Sequence, residues 1–431
     1  MTSSPQNSFH AGATADLHVD EVHRRIADLV ARGCKDLPTE RVALGDALGR
    51  ILAQDVLSPV SVPPHDNAAM DGYAFADATL DAGTGEVTLH VVGHARAGAP
   101  WTGRLGAGEA LRIMTGAVMP QGADTVVPQE LCRTEADRVR FGRHVVAAGA
   151  HRREAGEDLR AGGLALAAGT HLNAPALGLL ASLGQAHVAV RRRLRVAIVS
   201  TGDELLQPGE PARPGAIYDS NRATLSALVR GLGCDVVDLG PVPDSAQTLA
   251  DVLAAASRQA DAVISSGGVS VGEADHTRAA LADAGELAFW HVAMRPGRPF
   301  AAGVLANDSS APSLFFGLPG NPVAAVVSFL LFVRPALLQL AGRSADLAPM
   351  PPLVRARTSH ALRKRAGRTE YQRAMLRQVP GALPVVDVAP SQSSAVLSAM
   401  VGANALIVLP HDQVSVQAGD EVDVLLLDGL L

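Results

Sequence analysis

The sequence predicts a multidomain α/β protein built around a doubly wound α/β domain. Its 431 residues are enough for two to four domains, and 48% of them are apolar, which suits ordinary cores built mainly from Ala, Val and Leu. Apolar runs alternate with helical patterns through the central third of the chain. Short β-like runs separated by glycines and prolines occupy the segments at about 85–146 and beyond residue 351.

The central alternation begins with RVAIVS at Arg195, which is short and apolar enough for a buried strand. CDVVDLG, ADAVISS, ELAFWHV and SLFFGLP continue the strands. SNRATLSALVRGLG, SAQTLADVLAAASRQ and ADHTRAALADAG continue the helices, with Ser220 or Asn221 as the expected cap of the first. This alternation predicts βαβ units and a parallel sheet covered by helices on both faces.

The N-terminal part of the chain mixes helical and β patterns. Residues 19–32 form an amphipathic pattern with Val22, Ile26, Leu29 and Val30 on one face, and residues 41–54 form a second helical pattern. Alternating runs such as VTLHVVG and DRVRFGRHVV follow, and helical patterning returns at 173–183. We therefore expect a disordered tail (1–15), a helical domain in two segments (16–75 and 151–190), an inserted β-rich module (76–150), the α/β domain (191–345) and a C-terminal β-barrel-like domain (350–431).

Composition excludes several classes of function. The net charge of −6 argues against a nucleic-acid binder. Cys34, Cys132 and Cys234 are too widely spaced for a zinc site and fit a reducing cytoplasm. The N-terminus lacks the basic start and apolar core of a signal peptide. The apolar segment 323–333 is about half the ~20 residues that span a bilayer, so we expect a buried core helix and no membrane partner.

Three unusual loops follow predicted strands: STGDEL, SSGGVSVGEAD and GLPGNP. In an open parallel sheet the carboxyl ends of the strands share one edge, where ligands bind. The second loop has the composition of a phosphate cradle, with glycine N–H groups, serine hydroxyls and a helix start. A plain glycine turn with a capping Asp is the alternative. The expected substrate-binding residues at this edge are Ser266, Gly267, Gly268, Ser270, Gly272 and Asn321.

Charged residues surround these loops. Glu204, Asp244 and Asp275 would lie along an anion-binding edge, where carboxylates are unfavourable unless a cation lies between them and the anion. Mg²⁺ is the expected cation, and solvated surface acids are the alternative. A fourth loop, MRPGRP, presents Arg295 and Arg298 on a proline-stiffened turn that suits a tetrahedral oxyanion. The alternative there is a surface loop paired with local acids.

Ten motifs together resemble one family, the molybdopterin molybdenumtransferases, which are related to the catalytic domain of gephyrin. The motifs occur in the family's order over about residues 19–431: HDNAAMDGYA, RIMTGAVMPQGADTVVPQE, REAGEDL, STGDEL, IYDSNR, ISSGGVSVGEAD, MRPGRP, GLPGNP, GRTEYQR with SQSS, and NALIVLP. The resemblance implies an elongated homodimer with a cleft shared between subunits. It implies that molybdate and adenylylated molybdopterin are the substrates, that AMP is released, and that Mg²⁺ assists.

The resemblance also assigns residues. Ala68 stands where relatives often have serine, and Arg295 and Arg298 stand where relatives often have lysines. We expect these two arginines to bind molybdate together with Arg373 and Ser394 of the C-terminal domain. The metal ligands implied are Glu204, Asp244 and Asp275. The family's important positions fall on Asp71, Thr115, Asp158, Glu204, Asp244, Asp275, Pro319 and Pro322.

Two other functions compete with this one. A molybdopterin adenylyltransferase shares the α/β domain and its SSGG loop, but normally lacks the N-terminal modules. A gephyrin-like scaffold that had lost catalysis should have lost acids that are present here. Further expected partners are a molybdopterin adenylyltransferase and molybdoenzyme apoproteins or their chaperones.

Overall fold

The computed structural model describes residues 16–33, 37–80, 85–267, 285–307, 312–343 and 351–431. The chain divides into two compact units. The α/β–barrel unit comprises Met1–Glu40, Gly49–Ile51 and Val190–Leu431, and it includes the first helix, α1 (Val19–Gly33). The β-rich unit comprises Arg41–Leu48 and Leu52–Ala189. The predicted disordered tail, 1–15, lies outside the described residues, and the predicted domain boundaries stay predictions.

The β-rich unit is organised by one six-stranded sheet of order β7-β4-β6-β5-β9-β8. Two short two-stranded pairs accompany it, β10-β3 and β11-β2, together with the helix α2 (Ala174–Ser182), and a further short pair is β1-β12. The strands are β1 (Thr39–Ala43), β2 (Val56–Leu57), β3 (Asn67–Ala68), β4 (Gly72–Phe75), β5 (Glu86–Ala95), β6 (Glu109–Ile113), β7 (Thr125–Pro128), β8 (Arg133–Glu135), β9 (Arg138–Gly142), β10 (Arg152–Arg153), β11 (Leu164–Leu166) and β12 (His187–Arg191).

The β-rich pattern predicted for 85–146 is confirmed, and so is the helix predicted near 173. The helix predicted over 41–54 is wrong. That segment forms the end of β1 and a single 3₁₀ turn, Leu44–Asp46. Its backbone groups bond instead to a distant part of the chain, since the N–H of Leu44 donates to Ala186 and that of Ala53 to Ala189. Long-range pairing has overridden a local helical pattern.

The α/β sheet has six strands in the order β16-β13-β17-β21-β20-β18. The strands β16, β13, β17 and β21 are parallel, as predicted, whereas β20 is antiparallel to both of its neighbours. A separate parallel pair, β14-β15, lies in the loop region after β13. The strands are β13 (Arg195–Thr201), β14 (Leu205–Leu206), β15 (Ile217–Tyr218), β16 (Asp235–Val242), β17 (Ala262–Ser266), β18 (Gly285–His291), β19 (Met294–Arg295), β20 (Pro299–Leu305) and β21 (Ser313–Leu318).

Both faces of this sheet are covered by helices. Alternate residues of β13 serve two separate cores: Val196 and Ile198 pack with α1 and α3 (Ser220–Gly231), while Ala197 and Val199 pack with α4 (Ala246–Ser257). The apolar face predicted for α1 lies in the first of these cores. The doubly wound arrangement is therefore confirmed. The helix predicted from ADHTRAALADAG lies outside the described residues.

One long apolar helical stretch follows β21 in the chain. It consists of α5 (Pro322–Ser328), a π-helical segment (Phe329–Val333) and α6 (Arg334–Leu340). By length and composition it could cross a membrane, yet 78% of its most apolar window is buried inside the protein. The prediction of a buried core helix at 323–333 is confirmed, and this burial favours a soluble protein.

The C-terminal strands close into a barrel. The sheet order is β19-β23-β24-β22-β26-β25, and an additional pairing of β23 with β25 closes the five strands on themselves. The barrel also carries the short helix α7 (Ser398–Val401). Its strands are β22 (Leu353–Thr358), β23 (Thr369–Arg377), β24 (Val385–Val388), β25 (Ala405–Leu409) and β26 (Glu421–Leu426). The predicted barrel-like domain is confirmed.

Candidate active site

The three unusual loops of the α/β domain begin at one edge of the sheet. Ser200 at the end of β13 is in register with Ser266 at the end of β17, and Ser266 is in register with Leu318 at the end of β21. Since these strands are parallel and adjacent, their three following loops leave from the same side. The predicted common edge of STGDEL, SSGG and GLPGNP is confirmed, and we call it the loop edge.

Gly267 allows a close backbone approach at the loop edge. Its φ is +90°, and a Cβ there would lie 2.7 Å from the carbonyl oxygen of Thr201 and 2.8 Å from its hydroxyl. Its N–H donates to the carbonyl of Leu318 at 3.1 Å, which joins the second loop to the third. Only glycine tolerates both this conformation and this contact.

Two hydroxyls are buried at the end of β13, next to the contact between Thr201 and Gly267. Within the described residues the hydroxyls of Ser200 and Thr201 are buried and have no hydrogen-bond partner. Both residues are less than 10% exposed. Orphaned hydroxyls at the end of a buried strand are costly, and functional sites are where such costs accumulate.

Asn221 connects two of the loops through its side-chain amide. The Nδ2 donates to the Ser266 hydroxyl at 2.8 Å and to the Gly320 carbonyl at 2.7 Å. The cap of α3 is Asp219, which accepts from the N–H of Arg222, so the expected cap at Ser220 or Asn221 is wrong. Because Asp219 makes the capping bond, the Asn221 side chain is left to bridge the loops.

Carboxylates lie together at the neighbouring strand ends. The N–H of Asp244, after β16, donates to the Asp203 carboxylate at 3.3 Å. Burial first, and then the negative charges of Asp203 and Glu204, raise the pKa of Asp244 above its ordinary value. Two of the three predicted metal ligands, Glu204 and Asp244, are thus close enough to repel each other. Among the described residues, no three His, Cys, Asp or Glu side chains already have the arrangement of a metal site.

The third loop leads into α5. Asn321 takes the N-cap position with extended backbone, but its side chain makes no capping bond. Pro319 is buried, and Pro322 is the first residue of the helix. The N–H of Val323 donates to the carbonyl of Ser394 at 3.1 Å, so the SQSS loop of the barrel reaches the start of α5.

Arg373 of β23 is fully buried beside that SQSS loop. Its Nη2 donates to the carbonyls of Ser391 and Ser393 at 2.8 and 3.1 Å, while within the described residues its Nε and Nη1 have no partner. Burial first, and then the positive charge of Arg295, lower the pKa of Arg373. Two of the predicted molybdate-binding arginines therefore lie near each other, and Arg295 lines a cavity of about 260 Å³ between its turn and the barrel.

Arg298 has a different environment. Its guanidinium forms a two-pronged pair with Asp16, with Nε and Nη2 each 2.9 Å from a carboxylate oxygen. The side chain is 60% exposed, and the paired Asp16 raises the pKa of Arg298. This contact corresponds to the alternative prediction, a surface loop paired with a local acid, and it leaves the role of Arg298 in molybdate binding as a prediction.

The β-rich unit brings two other predicted residues together. The backbone N–H and the hydroxyl of Thr115 both donate to one oxygen of Asp71, each at 2.7 Å. These two bonds, with Arg112 contributing less, lower the pKa of Asp71. Asp158 lies exposed in a loop whose backbone bonds to Val62 at 3.0 Å.

Four predicted site residues lie outside the described part of the chain: Gly268, Ser270, Gly272 and Asp275. Sequence reasoning missed Asn221 as a bridge and Asp203 as a member of the acid cluster. Their sequence signals were present, since Asn221 lies in IYDSNR and Asp203 in STGDEL.

Comparison with known families matches the chain over most of its length. Residues 17–184 match the MoeA N-terminal region (domain I and II), 197–339 a probable molybdopterin binding domain, and 355–427 the MoeA C-terminal region (domain IV). These three matches, together with the doubly wound domain and the polar loops at one edge of its sheet, place the chain in a class of proteins: those of molybdopterin biosynthesis.

The chain belongs to the molybdopterin molybdenumtransferase family. It is 41% identical to a molybdopterin molybdenumtransferase of Haemophilus influenzae, over 90% of this chain and 93% of that one. It is 39% identical to one of Nostoc sp., over 93% and 92%. A crystal structure of a molybdopterin biosynthesis MoeA protein from Pyrococcus horikoshii OT3 superposes with a TM-score of 0.80 at 27% identity, covering 95% of this chain and 99% of that one. The protein is a transferase of molybdenum cofactor biosynthesis.

Proposed function

We propose that this enzyme transfers molybdenum from molybdate to adenylylated molybdopterin, releases AMP, and works as a Mg²⁺-assisted cytoplasmic homodimer. The observation that carries the proposal is the loop edge itself, where Gly267, Ser266 and the acids Glu204 and Asp244 follow adjacent strands. A substrate with a phosphoanhydride needs N–H and O–H donors for its oxygens and carboxylates for a cation.

The acid cluster supports the choice of Mg²⁺. The pKa of Asp244 is raised by burial and by two neighbouring carboxylates, and a hard dication removes that repulsion. Glu204 and Asp244, with the predicted Asp275, would hold the ion. Bound there, Mg²⁺ would neutralise charge on the phosphoanhydride oxygens.

The residues of the chain then act by positioning. The donors around Ser266 and Gly267 hold the phosphates in place, and the arginines concentrate molybdate near the dithiolene. An oxygen of molybdate or water attacks the molybdopterin phosphorus, the phosphoanhydride P–O bond breaks, and AMP leaves with the bonding electron pair. The two dithiolene sulfurs bond to molybdenum as one Mo–O bond breaks; the oxygen that leaves molybdenum takes the two thiol protons and departs as water, or stays on phosphorus where molybdate made the attack. This course of reaction requires no serine or cysteine nucleophile.

The environment of Arg373 supports the proposal that an oxyanion binds near the barrel. Two of its nitrogens are buried without a partner in the described residues, close to a second arginine, Arg295. Buried unpaired donors of this kind favour an anionic ligand, since each lost hydrogen bond is costly. Molybdate is the anion that the proposed reaction uses.

The test is an assay of AMP release from adenylylated molybdopterin. We expect release that requires both the enzyme and molybdate, and that tungstate inhibits by competition. A parallel reaction with ATP, Mg²⁺ and molybdopterin, without molybdate, tests for adenylyl transfer. Adenylylated molybdopterin formed in that reaction would favour the adenylyltransferase, and AMP release indifferent to molybdate would contradict the proposal.

A further inference from the structure

Asn221 lies in the first turn of α3, where its side chain reaches across the loop edge. It contacts the hydroxyl of Ser266, the last residue of β17, and the carbonyl of Gly320 in GLPGNP. Both acceptors lie about as close to Nδ2 as good hydrogen bonds allow, at 2.8 and 2.7 Å.

The chemistry of these partners fixes the orientation of the amide. A backbone carbonyl can only accept a hydrogen bond, so the amide atom that faces Gly320 must be the NH₂ group. The same nitrogen faces Ser266, and therefore the Ser266 oxygen accepts from Asn221. An amide nitrogen with two hydrogens supplies both bonds.

This arrangement leaves the Ser266 proton free to point elsewhere. A serine hydroxyl has one proton and two lone pairs, and one lone pair is taken by Asn221. Ser266 is 3% exposed and immediately precedes Gly267, whose lack of a side chain lets its backbone lie close to Thr201. Within the described residues the Ser266 hydroxyl has no acceptor of its own.

We propose that Asn221 is a positioning residue that makes Ser266 a hydrogen-bond donor to a phosphate oxygen of the substrate. The inference rests on the proposed function, because it assumes that a phosphorylated substrate occupies the loop edge. The same side chain also contacts the Gly320 carbonyl of the GLPGNP turn, and the inference concerns only its effect on Ser266.

The experiment measures equilibrium binding of adenylylated molybdopterin by isothermal titration calorimetry, without molybdate. The variants are Asn221→Ala, Ser266→Ala and the double variant. We expect each single change to weaken binding about tenfold, equivalent to about 1.4 kcal/mol. If Asn221 acts through Ser266, the double variant should bind no more weakly than about tenfold, because the second change removes nothing further.

Asn173→Ala is the matched control. Asn173 caps α2 in the β-rich unit by accepting from the N–H of Ala176 at 3.0 Å, so its loss should lower thermal stability and leave binding unchanged. Asn221→Gln moves the amide by one methylene and gives the same comparison if the alanine variant does not fold.

The outcomes separate this inference from the proposed function. Additive losses, of about a hundredfold in the double variant, would mean that Asn221 acts independently of Ser266 and would overturn the inference. Binding unaffected by the Asn221 changes, in an enzyme that releases AMP, would overturn it too. Tenfold, non-additive losses in an enzyme that does not release AMP would support the inference and reject the proposed reaction.

Discussion

Asp244→Asn should stabilise the protein in the absence of metal. Asp244 lies near the carboxylates of Asp203 and Glu204, and burial first and then these charges raise its pKa above its ordinary value. Unit charges 4 Å apart interact by about 1 kcal/mol in water, and exposure and salt reduce this further. We therefore expect a gain of about 0.5–1 kcal/mol in the free energy of unfolding at pH 7, or about 1–3 °C in melting temperature.

The pH dependence has a definite sign. A carboxyl whose folded pKa is raised binds its proton more readily in the native state than in the unfolded state. Its destabilising effect is complete well above the folded pKa. It disappears as the pH falls through the folded pKa towards the unfolded value near 3.8. The advantage of Asp244→Asn should accordingly shrink as the pH is lowered from 7 towards 4.

Magnesium should reverse the order of stability. If Asp244 helps to hold Mg²⁺, the wild-type protein gains about 2.7 kcal/mol at a hundred times the dissociation constant, and the variant gains less. Melting curves with EDTA and across a Mg²⁺ titration, with Asp251→Asn as a surface control on α4, measure both effects. A variant that is less stable than wild type in EDTA, or that gains equally from Mg²⁺, would refute the reasoning.

Three further changes test other parts of the site. Thr115→Val removes one of two hydrogen bonds to Asp71, so an NMR titration should show the pKa of Asp71 moving upward towards 3.8; an unmoved pKa would mean that the hydroxyl bond is unimportant. Gly267→Ala should cost at least ~1 kcal/mol more in unfolding free energy than Gly381→Ala, because both have positive φ but only Gly267 meets other atoms; equal chemical denaturation curves would contradict this. Arg373→Gln should raise the molybdate concentration needed for half-maximal AMP release at least tenfold while leaving binding of adenylylated molybdopterin nearly unchanged; the opposite pattern would make this arginine a phosphate contact.

The candidate site was predictable from the sequence where strands end. The runs that begin at Arg195 and Ala262 are short and apolar, and each is followed at once by polar and glycine residues. Parallel strands place such ends at one edge whatever the details of packing, so the meeting of the STGDEL, SSGG and GLPGNP loops followed from topology alone. The strand and helix periods of the central domain and the buried apolar helix were predictable for a different reason, because they depend on the local sequence pattern.

Other features depended on partners far away in the chain. Residues 41–54 have a helical pattern, yet their backbone forms hydrogen bonds with the region of β12. Nothing in the sequence of 41–54 itself indicates that distant partner. The proline-stiffened turn around Arg298 predicts an oxyanion-binding arginine. In the structure its guanidinium is paired with Asp16, which is 282 residues away in the sequence.

By itself the sequence determined most of the succession of elements in the α/β domain, the residue types at the loop edge and the family, because each is written in contiguous motifs. Tertiary structure alone decided which donor faces which acceptor. Asn221 became a bridge because Asp219 took the cap of α3 and the parallel register placed Ser266 and Gly320 within reach of one amide. Hydrogen bonds are directional over a few tenths of an ångström, and only the folded backbone fixes positions that finely.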